Sequence, residues 1–405
     1  MPAECRGAGH RRRTTRIIDG MVPDLPPPLV VTTTDQLRQV VERLRRVDRV
    51  AVDTESNSLY AYRERVCLIQ LSTADSDILV DPLAVEDVSG LSPVLADPAV
   101  EKVFHAAEYD LICLRRDFDF HVSPLFDTRV AARTLGQPRT GLGDLLQDAY
   151  GVSIDKRHQR ANWGKRPLPP ALLDYARLDT HYLLPLRDRL AGELAAAGRT
   201  AEALEECDRM TTTVDISTPE NDQPPFWRIT HARRLTGSQA AVLRELYAMR
   251  EDEARRRDCP PFKVLSDASL LAIAQASPRS RRALERVEGL PTSAQTRYGE
   301  TLLSAVRRGL ETPPPPRPMA RGPDEAAQTR FQRLREWRRQ AAAAHGVESD
   351  VILPKEMAWE IARANPADLQ ALHPLMAPLE TRFASHGAAI LVALHNGLST
   401  AGQRR

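Results

Sequence analysis

The chain has 405 residues, 42% of them hydrophobic and 27% charged, with a formal net charge of only +2. That length suits two to four domains with packed cores. The near-neutral balance excludes a polyanion-binding surface built on bulk charge, so any phosphate-binding face must come from local clustering of side chains.

Five cysteines (Cys5, Cys67, Cys113, Cys207, Cys259) form no C-x-x-C pair and read as free thiols in a reducing cytoplasm. No run of about 18 apolar residues predicts a membrane span. The first residues are basic and lack the apolar stretch of a secretory signal.

Residues 1–28 are polar, end in Pro26-Pro27-Pro28, and predict a disordered basic arm, or an upstream start with Met21 as the real one. Arg49–Val52, Val66–Leu71 and Ile78–Val80 are short β-type runs close together, which predicts an antiparallel meander. Lys102–His105 predicts a further strand. Glu108–Asp117, Thr128–Leu135 and Leu142–Ala149 read as helices. A longer one is predicted from Leu172 to Ala197, after Pro169-Pro170 and before Gly198. Strands followed by strand–helix alternation indicate an α/β domain over 29–210, a mixed sheet with helices on its faces.

Beyond about residue 228 helical periodicity takes over. The segments on either side of Pro313–Pro316 repeat each other at an offset of 88 residues (334 minus 246). Leu246 matches Leu334, Arg250 matches Arg338, Leu265 matches Leu353, Ile273 matches Ile361, Pro278 matches Pro366 and Gly299 matches Gly387. The shared positions are mostly apolar, so a core is repeated. Two small all-α bundles are expected, at 228–312 and 326–398, with a stiff Pro-rich linker at 313–325.

Three acidic clusters stand out. Asp53 and Glu55 are two apart on a predicted strand, so both carboxylates point to one face. Like charges at close range repel unless a cation lies between them, and hard oxygen donors suit Mg²⁺ or Mn²⁺. An exposed strand end with incidental acids reads equally well. In KVFHAAEYDL, Asp110 opens the helix after His105; it either answers the helix dipole or serves as a ligand. Tyr175 and Asp179 are spaced i, i+4 on one helix face, where an ion-pairing acid beside a half-buried Tyr is the plainer reading.

Their order changes the odds. Strand D-x-E, then H-x-x-x-x-D, then Y-x-x-x-D resembles the three motifs of the DEDDy 3′→5′ exonucleases. VAVDTES, CLIQLS, KVFHAAEYDL, LFDTRVAARTLG and QRANWGKRPLPPALLDYARLDTHYLLPL together are similar to ribonuclease D over about residues 30–210. RELYAMREDEARRRDCPPFKVLSDASLLAIAQASP resembles the HRDC domain, and the second copy keeps the apolar frame without the Pro-Pro-Phe segment.

The resemblance implies an RNase H-like (DnaQ-like) nuclease fold and hydrolysis of a terminal phosphodiester with two divalent ions, Mg²⁺ or Mn²⁺. Asp53 would bridge both ions, Glu55 and Asp179 would hold the one that activates water, and Asp110 would support the other. Tyr175 would orient that water. The implied partner is RNA with a free 3′ end, transfer-RNA precursors among them, acted on by a cytoplasmic monomer.

Further residues are open to two readings. Trp163 stacks on a base or fixes its loop; Arg166 meets a phosphate or caps the loop. His105 lines the site or ends its strand. Asp127 is expected as a helix N-cap and Asp81 as a turn residue. In the first repeat Arg281, Arg282, Arg297, Arg307 and Arg308 form either a basic face for the substrate backbone or a solvated surface. A DNA exonuclease, a non-catalytic RNA-binding scaffold and a helicase-associated adaptor are the competing classes. No G-x-x-x-x-G-K-[ST] loop is present, so no ATP-driven motor is expected.

Overall fold

A computed structural model of the chain describes residues 25–214, 224–318 and 324–396. The expected N-terminal arm lies outside them except for residues 25–28, and the expected linker lies partly outside.

The first unit contains β1 (Leu29–Val31), α1 (Thr34–Leu44), β2 (Arg49–Ser56), β3 (Val66–Ser72), β4 (Asp77–Val80), a short α2 (Ser92–Leu95) and β5 (Glu101–Phe104). It continues with α3 (Glu108–Phe118), β6 (Leu125–Asp127), α4 (Thr128–Thr134), α5 (Leu142–Tyr150), α6 (Pro170–His181), α7 (Leu183–Ala197) and α8 (Thr200–Thr212). The six strands form one sheet in the order β1-β4-β3-β2-β5-β6. β2, β3 and β4 run antiparallel in sequence, the expected meander; β1, β5 and β6 add in parallel at the flanks. The α/β mixed-sheet fold class read from the sequence is therefore present.

Strand alternation splits the core in two. Val50 and Val52 of β2 join Ile69, Leu71, Ile78 and Val80 beneath α1 and α3. Ala51 faces the other way, toward α4, α5 and α7. Asp53 and Glu55 continue the face of Ala51, so the side that would carry further apolar residues carries acids instead. The register of β2 on β3 shifts just after Glu55, a bulge of the kind found beside active sites.

Two expectations need correction. β1, α1, α2, β6 and α8 were not anticipated as elements: β1 and β6 have only three residues each and α2 four, too few for a periodic signal. The predicted single helix 172–197 is two helices, α6 and α7, broken at Tyr182 (φ −96°, ψ 0°), whose ring stacks edge-on to His181 at 4.6 Å.

The helical region begins with the short turns Pro225–Arg228 and Ala232–Arg234 and contains α9 (Gly237–Arg256), α10 (Pro261–Val264), α11 (Asp267–Ala276), α12 (Arg281–Leu284) and α13 (Thr292–Glu311). Then follow α14 (Glu325–His345), α15 (Ser349–Ile352), α16 (Lys355–Ala364), α17 (Leu369–Met376) and α18 (Glu380–Asn396). The two sets have separate cores, built from matched positions such as Leu246 and Leu334 or Ile273 and Ile361. The match extends to backbone strain: Ser277 and Asn365, 88 apart, both have left-handed φ (42° and 49°), as do Asp258 (42°) and Gly346 (66°).

Both repeats meet the nuclease unit through the turn after their first long helix. In the first, Asp258 accepts from the Tyr62 backbone N–H at 3.1 Å, and the Lys263 ammonium lies 4.3 Å from the Tyr60 ring centroid. In the second, Glu348 pairs with Arg133 at 2.8 Å. There a Cβ on Gly136 (φ +75°) would come within 2.1 Å of the Gly346 carbonyl oxygen, so only glycine fits. The second repeat adds a buried ion pair, Arg382 with Glu205 at 2.9 Å.

Lys102 of β5 is fully buried, and its ammonium donates to the carbonyls of Asp97 (2.8 Å), Val100 and Ser123 (2.6 Å). It ties β5 to the loop entering β6. Lys102→Met keeps the volume and leaves three acceptors without their donor, with an expected cost of about 3 kcal/mol in urea unfolding. A change within about 0.5 kcal/mol would show that the three bonds contribute nothing net.

Candidate active site

Three elements bring acids together at one end of the sheet. β2 contributes Asp53 and Glu55, and α6 crosses their face carrying Asp179. Ligand oxygens of Asp53, Glu55 and Asp179 all lie within 4.8 Å of one another. α3 comes from the opposite face and carries Asp110 in its first turn. The Thr54 backbone N–H (3.1 Å) and hydroxyl both donate to Asp110 Oδ1, which pins that carboxylate to the strand between the other two acids.

The electrostatics match this crowding. Burial, then the charges of Asp110, Asp179 and Glu55, raise the Asp53 carboxyl well above its ordinary range. Burial and then Asp179 and Asp110 push Glu55 up to about 9. Burial likewise lifts Asp110 and Asp179 to about 7. All four perturbations point the same way, as expected of buried carboxylates crowded together. The donor set is all carboxylate oxygen, which fits a hard divalent cation such as Mg²⁺ or Mn²⁺.

Tyr175 lies one turn before Asp179 on α6. Burial and then Asp179, Glu55 and Asp53 raise its phenol further, and a hydrogen bond with Gln159 opposes the rise. Its hydroxyl therefore stays protonated at neutral pH and can donate. The His158 ring sits 5.6 Å and the Trp163 ring 6.1 Å from that of Tyr175, centroid to centroid.

Trp163 is 1% exposed, so no base can stack on it; it fills the core between β3 and α6. Arg166 is equally committed, bidentate to Asp81 (2.6 and 2.8 Å) and donating to the Cys67 and Trp163 carbonyls. Neither is available to a nucleic acid, and both serve the loop before α6. His105 is held by Thr128 (2.9 Å), and burial lowers it to about 4. Asp127 does cap α4, through Arg129 and Val130, and also accepts from the Ala106 and Ala107 N–H groups. It thereby fixes the turn that launches α3 and Asp110. Arg281 packs on Gly299, while exposed Arg297 lines a cleft of the first repeat together with Lys263 and Phe262. Arg282 is exposed on α12.

Residues 28–195 match the family model of a 3′-5′ exonuclease, and residues 239–306 and 327–394 each match the HRDC domain. Ribonuclease D of Granulibacter bethesdensis is 35% identical over 290 residues, 70% of this chain and 73% of that protein. Ribonuclease D of Escherichia coli strain K12 is 33% identical over 287 residues, 70% and 75% of the two chains. The crystal structure of Escherichia coli RNase D, described as an exoribonuclease involved in structured RNA processing, superposes with a TM-score of 0.64 at 28% identity. It covers 86% of this chain and 98% of that one.

The raised acids set a pH dependence. Unfolded carboxyls titrate near about 4; in the folded chain they hold protons to about 7 (Asp110, Asp179) and about 9 (Glu55). Between these limits the folded state binds more protons, so stability in chelator falls as pH rises. Thermal unfolding at pH 6 and pH 8 is expected to show a larger rise in Tm with Mg²⁺ at pH 8, and Asp53→Asn to remove most of that rise. Equal Mg²⁺ responses at both pH values would contradict this.

Proposed function

Because the chain belongs to the ribonuclease D family of 3′–5′ exonucleases, we propose that it trims the 3′ ends of structured RNA, transfer-RNA precursors among them, releasing nucleoside monophosphates. The observation carrying the reading is the convergence of three carboxylates within 4.8 Å, with a fourth hydrogen-bonded to the strand between them. We place the nuclease at 29–210 and the HRDC units at 228–312 and 326–398, in a cytoplasmic monomer.

Asp53, Glu55, Asp110 and Asp179 are the residues we propose would hold two divalent ions. Bound there, such ions supply Lewis-acid activation of water and neutralise charge on the scissile phosphate. The chain's own contribution is geometric. Asp53 and Glu55 stand on a rigid strand, and Asp110 is fixed by Thr54. Tyr175, kept protonated, donates to the attacking water and orients it toward the terminal phosphorus. The product leaves with one added water: the P–O3′ bond breaks and the new 3′ hydroxyl takes a proton.

The first repeat rests on the loop that begins two residues after Glu55, through Tyr60 and Tyr62. Arg281, Arg282 and Arg297 are proposed to steer the RNA backbone from there. Holding substrate beside the site raises its effective concentration.

Digestion of 5′-labelled and 3′-labelled RNA is the test, with Mg²⁺, Mn²⁺ or chelator. The 3′ label is expected as mononucleotide from the first time point, the 5′ label in a shortening ladder, and no cleavage in chelator. Asp53→Asn is expected to slow trimming on the order of 10³-fold, and Tyr175→Phe about 10–100-fold with KM little changed. Intact trimming by Asp53→Asn would refute the site; faster digestion of matched DNA would refute RNA as the substrate.

A further inference from the structure

The face of β3 that meets the acids is not wholly apolar. Gln70 stands directly opposite Asp53 in the antiparallel register, and Ser72 opposite Ala51. Gln70 is fully buried and its amide donates to Asp53 Oδ2 at 3.4 Å. Its own Oε1 has no hydrogen-bond partner among the described residues. A buried amide left half-satisfied costs free energy that leucine there would not.

Two residues on, the Ser72 hydroxyl lies 2.7 Å from Thr180 Oγ1 and donates to Asp77 Oδ1, also at 2.7 Å. Ser72 has one proton, which goes to Asp77, so across the shorter contact the Thr180 hydroxyl is the donor to Ser72, while the Arg177 carbonyl, 3.3 Å from Thr180 Oγ1, is its second acceptor within α6. His181 Nδ1 reaches Asp77 Oδ2 at 2.9 Å. Burial pushes the Asp77 carboxyl up, but the hydrogen bonds from His181 and Ser72 outweigh it and hold the group below its ordinary range. Thr180 and His181 directly follow Asp179, and α6 ends with them.

We propose that Gln70, Ser72, Thr180 and Asp77 form a register clamp for the metal-binding acids: Gln70 holds the Asp53 carboxylate, and the Ser72–Thr180 bond sets the rotation of α6. This inference rests on the site assigned above. A helix packed only by apolar contacts can turn or slide at low cost. A slip of one residue rotates it by about 100° and shifts it about 1.5 Å, which would swing Asp179 and Tyr175 off Asp53 and Glu55. In the observed register the two buried hydroxyls bond each other as well as a further partner each, Asp77 for Ser72 and the Arg177 carbonyl for Thr180, and a slip of α6 loses the bond that joins helix to strand. The four residues are positioning residues and touch no reacting atom.

The test is Thr180→Val, Thr180→Ser, Ser72→Ala and Gln70→Leu in the full chain. Mn²⁺ affinity is measured by calorimetry without RNA, with kcat and KM on a single-stranded RNA. Thr180→Val, Ser72→Ala and Gln70→Leu are expected to weaken Mn²⁺ binding and lower kcat by about 10–100-fold each, with KM within about twofold. Thr180→Ser restores the hydroxyl and is expected to stay near the parent chain. If Thr180→Val does not fold, Ser72→Ala and Gln70→Leu decide the matter. Parent-like Mn²⁺ affinity and kcat in those variants, or a change in KM alone, overturns the clamp. Asp53→Asn measured alongside separates the readings: if it trims normally the site itself is wrong, and if it is inactive while the clamp variants are normal only the clamp fails.

Discussion

Mutual repulsion of carboxylates is the constraint on which this structure turns. Asp53, Glu55 and Asp179 converge within 4.8 Å, with Asp110 held next to them by Thr54, and each is driven toward its protonated form. Such an arrangement opposes folding, and it persists because rigid elements impose it from both faces of a sheet. The sheet gives Asp53 and Glu55 a common direction, α6 closes over them, and α3 reaches around the strand end. A divalent cation is the natural counter-charge, which is why the same geometry reads as a hydrolytic centre.

Around the acids the chain uses polar groups where a core would ordinarily be apolar. Asp127 organises the turn before α3 through two backbone N–H groups while capping α4. Arg166, Asp81 and Trp163 fix the loop leading into α6. The two helical repeats present the same turn to the nuclease unit but have diverged in its chemistry. The first offers Asp258 and Lys263 to the loop after Glu55; the second offers Glu348, and Arg382 from α18, to α4 and α8.

Much of this was legible in the chain. The antiparallel meander followed from three apolar runs, and the repeat from apolar positions at constant offset, because cores constrain sequence most strongly where side chains pack. Asp53 and Glu55 were visible as an i, i+2 pair and Asp179 as i+4 from Tyr175, since spacing encodes a shared face. Three-residue strands left no periodicity to read. The break at Tyr182 was legible after all: Pro185, in the first turn of α7, has no N–H for the His181 carbonyl, and a proline inside a helical pattern ends or kinks the helix. Trp163 and Arg166 depend on burial and partners such as Asp81, 85 residues away, which no local pattern records. Gln70 was detectable: a lone amide in VCLIQL, an otherwise apolar strand, is a polar group requiring an explanation.

Diffraction from crystals soaked in Mn²⁺, with anomalous differences recorded at the manganese edge, addresses the central claim most directly. The account predicts manganese peaks in contact with the carboxylates of Asp53, Glu55 and Asp179, with Asp110 beside them. Peaks confined to other acids, or acids of this cluster turned outward and without metal, would contradict it.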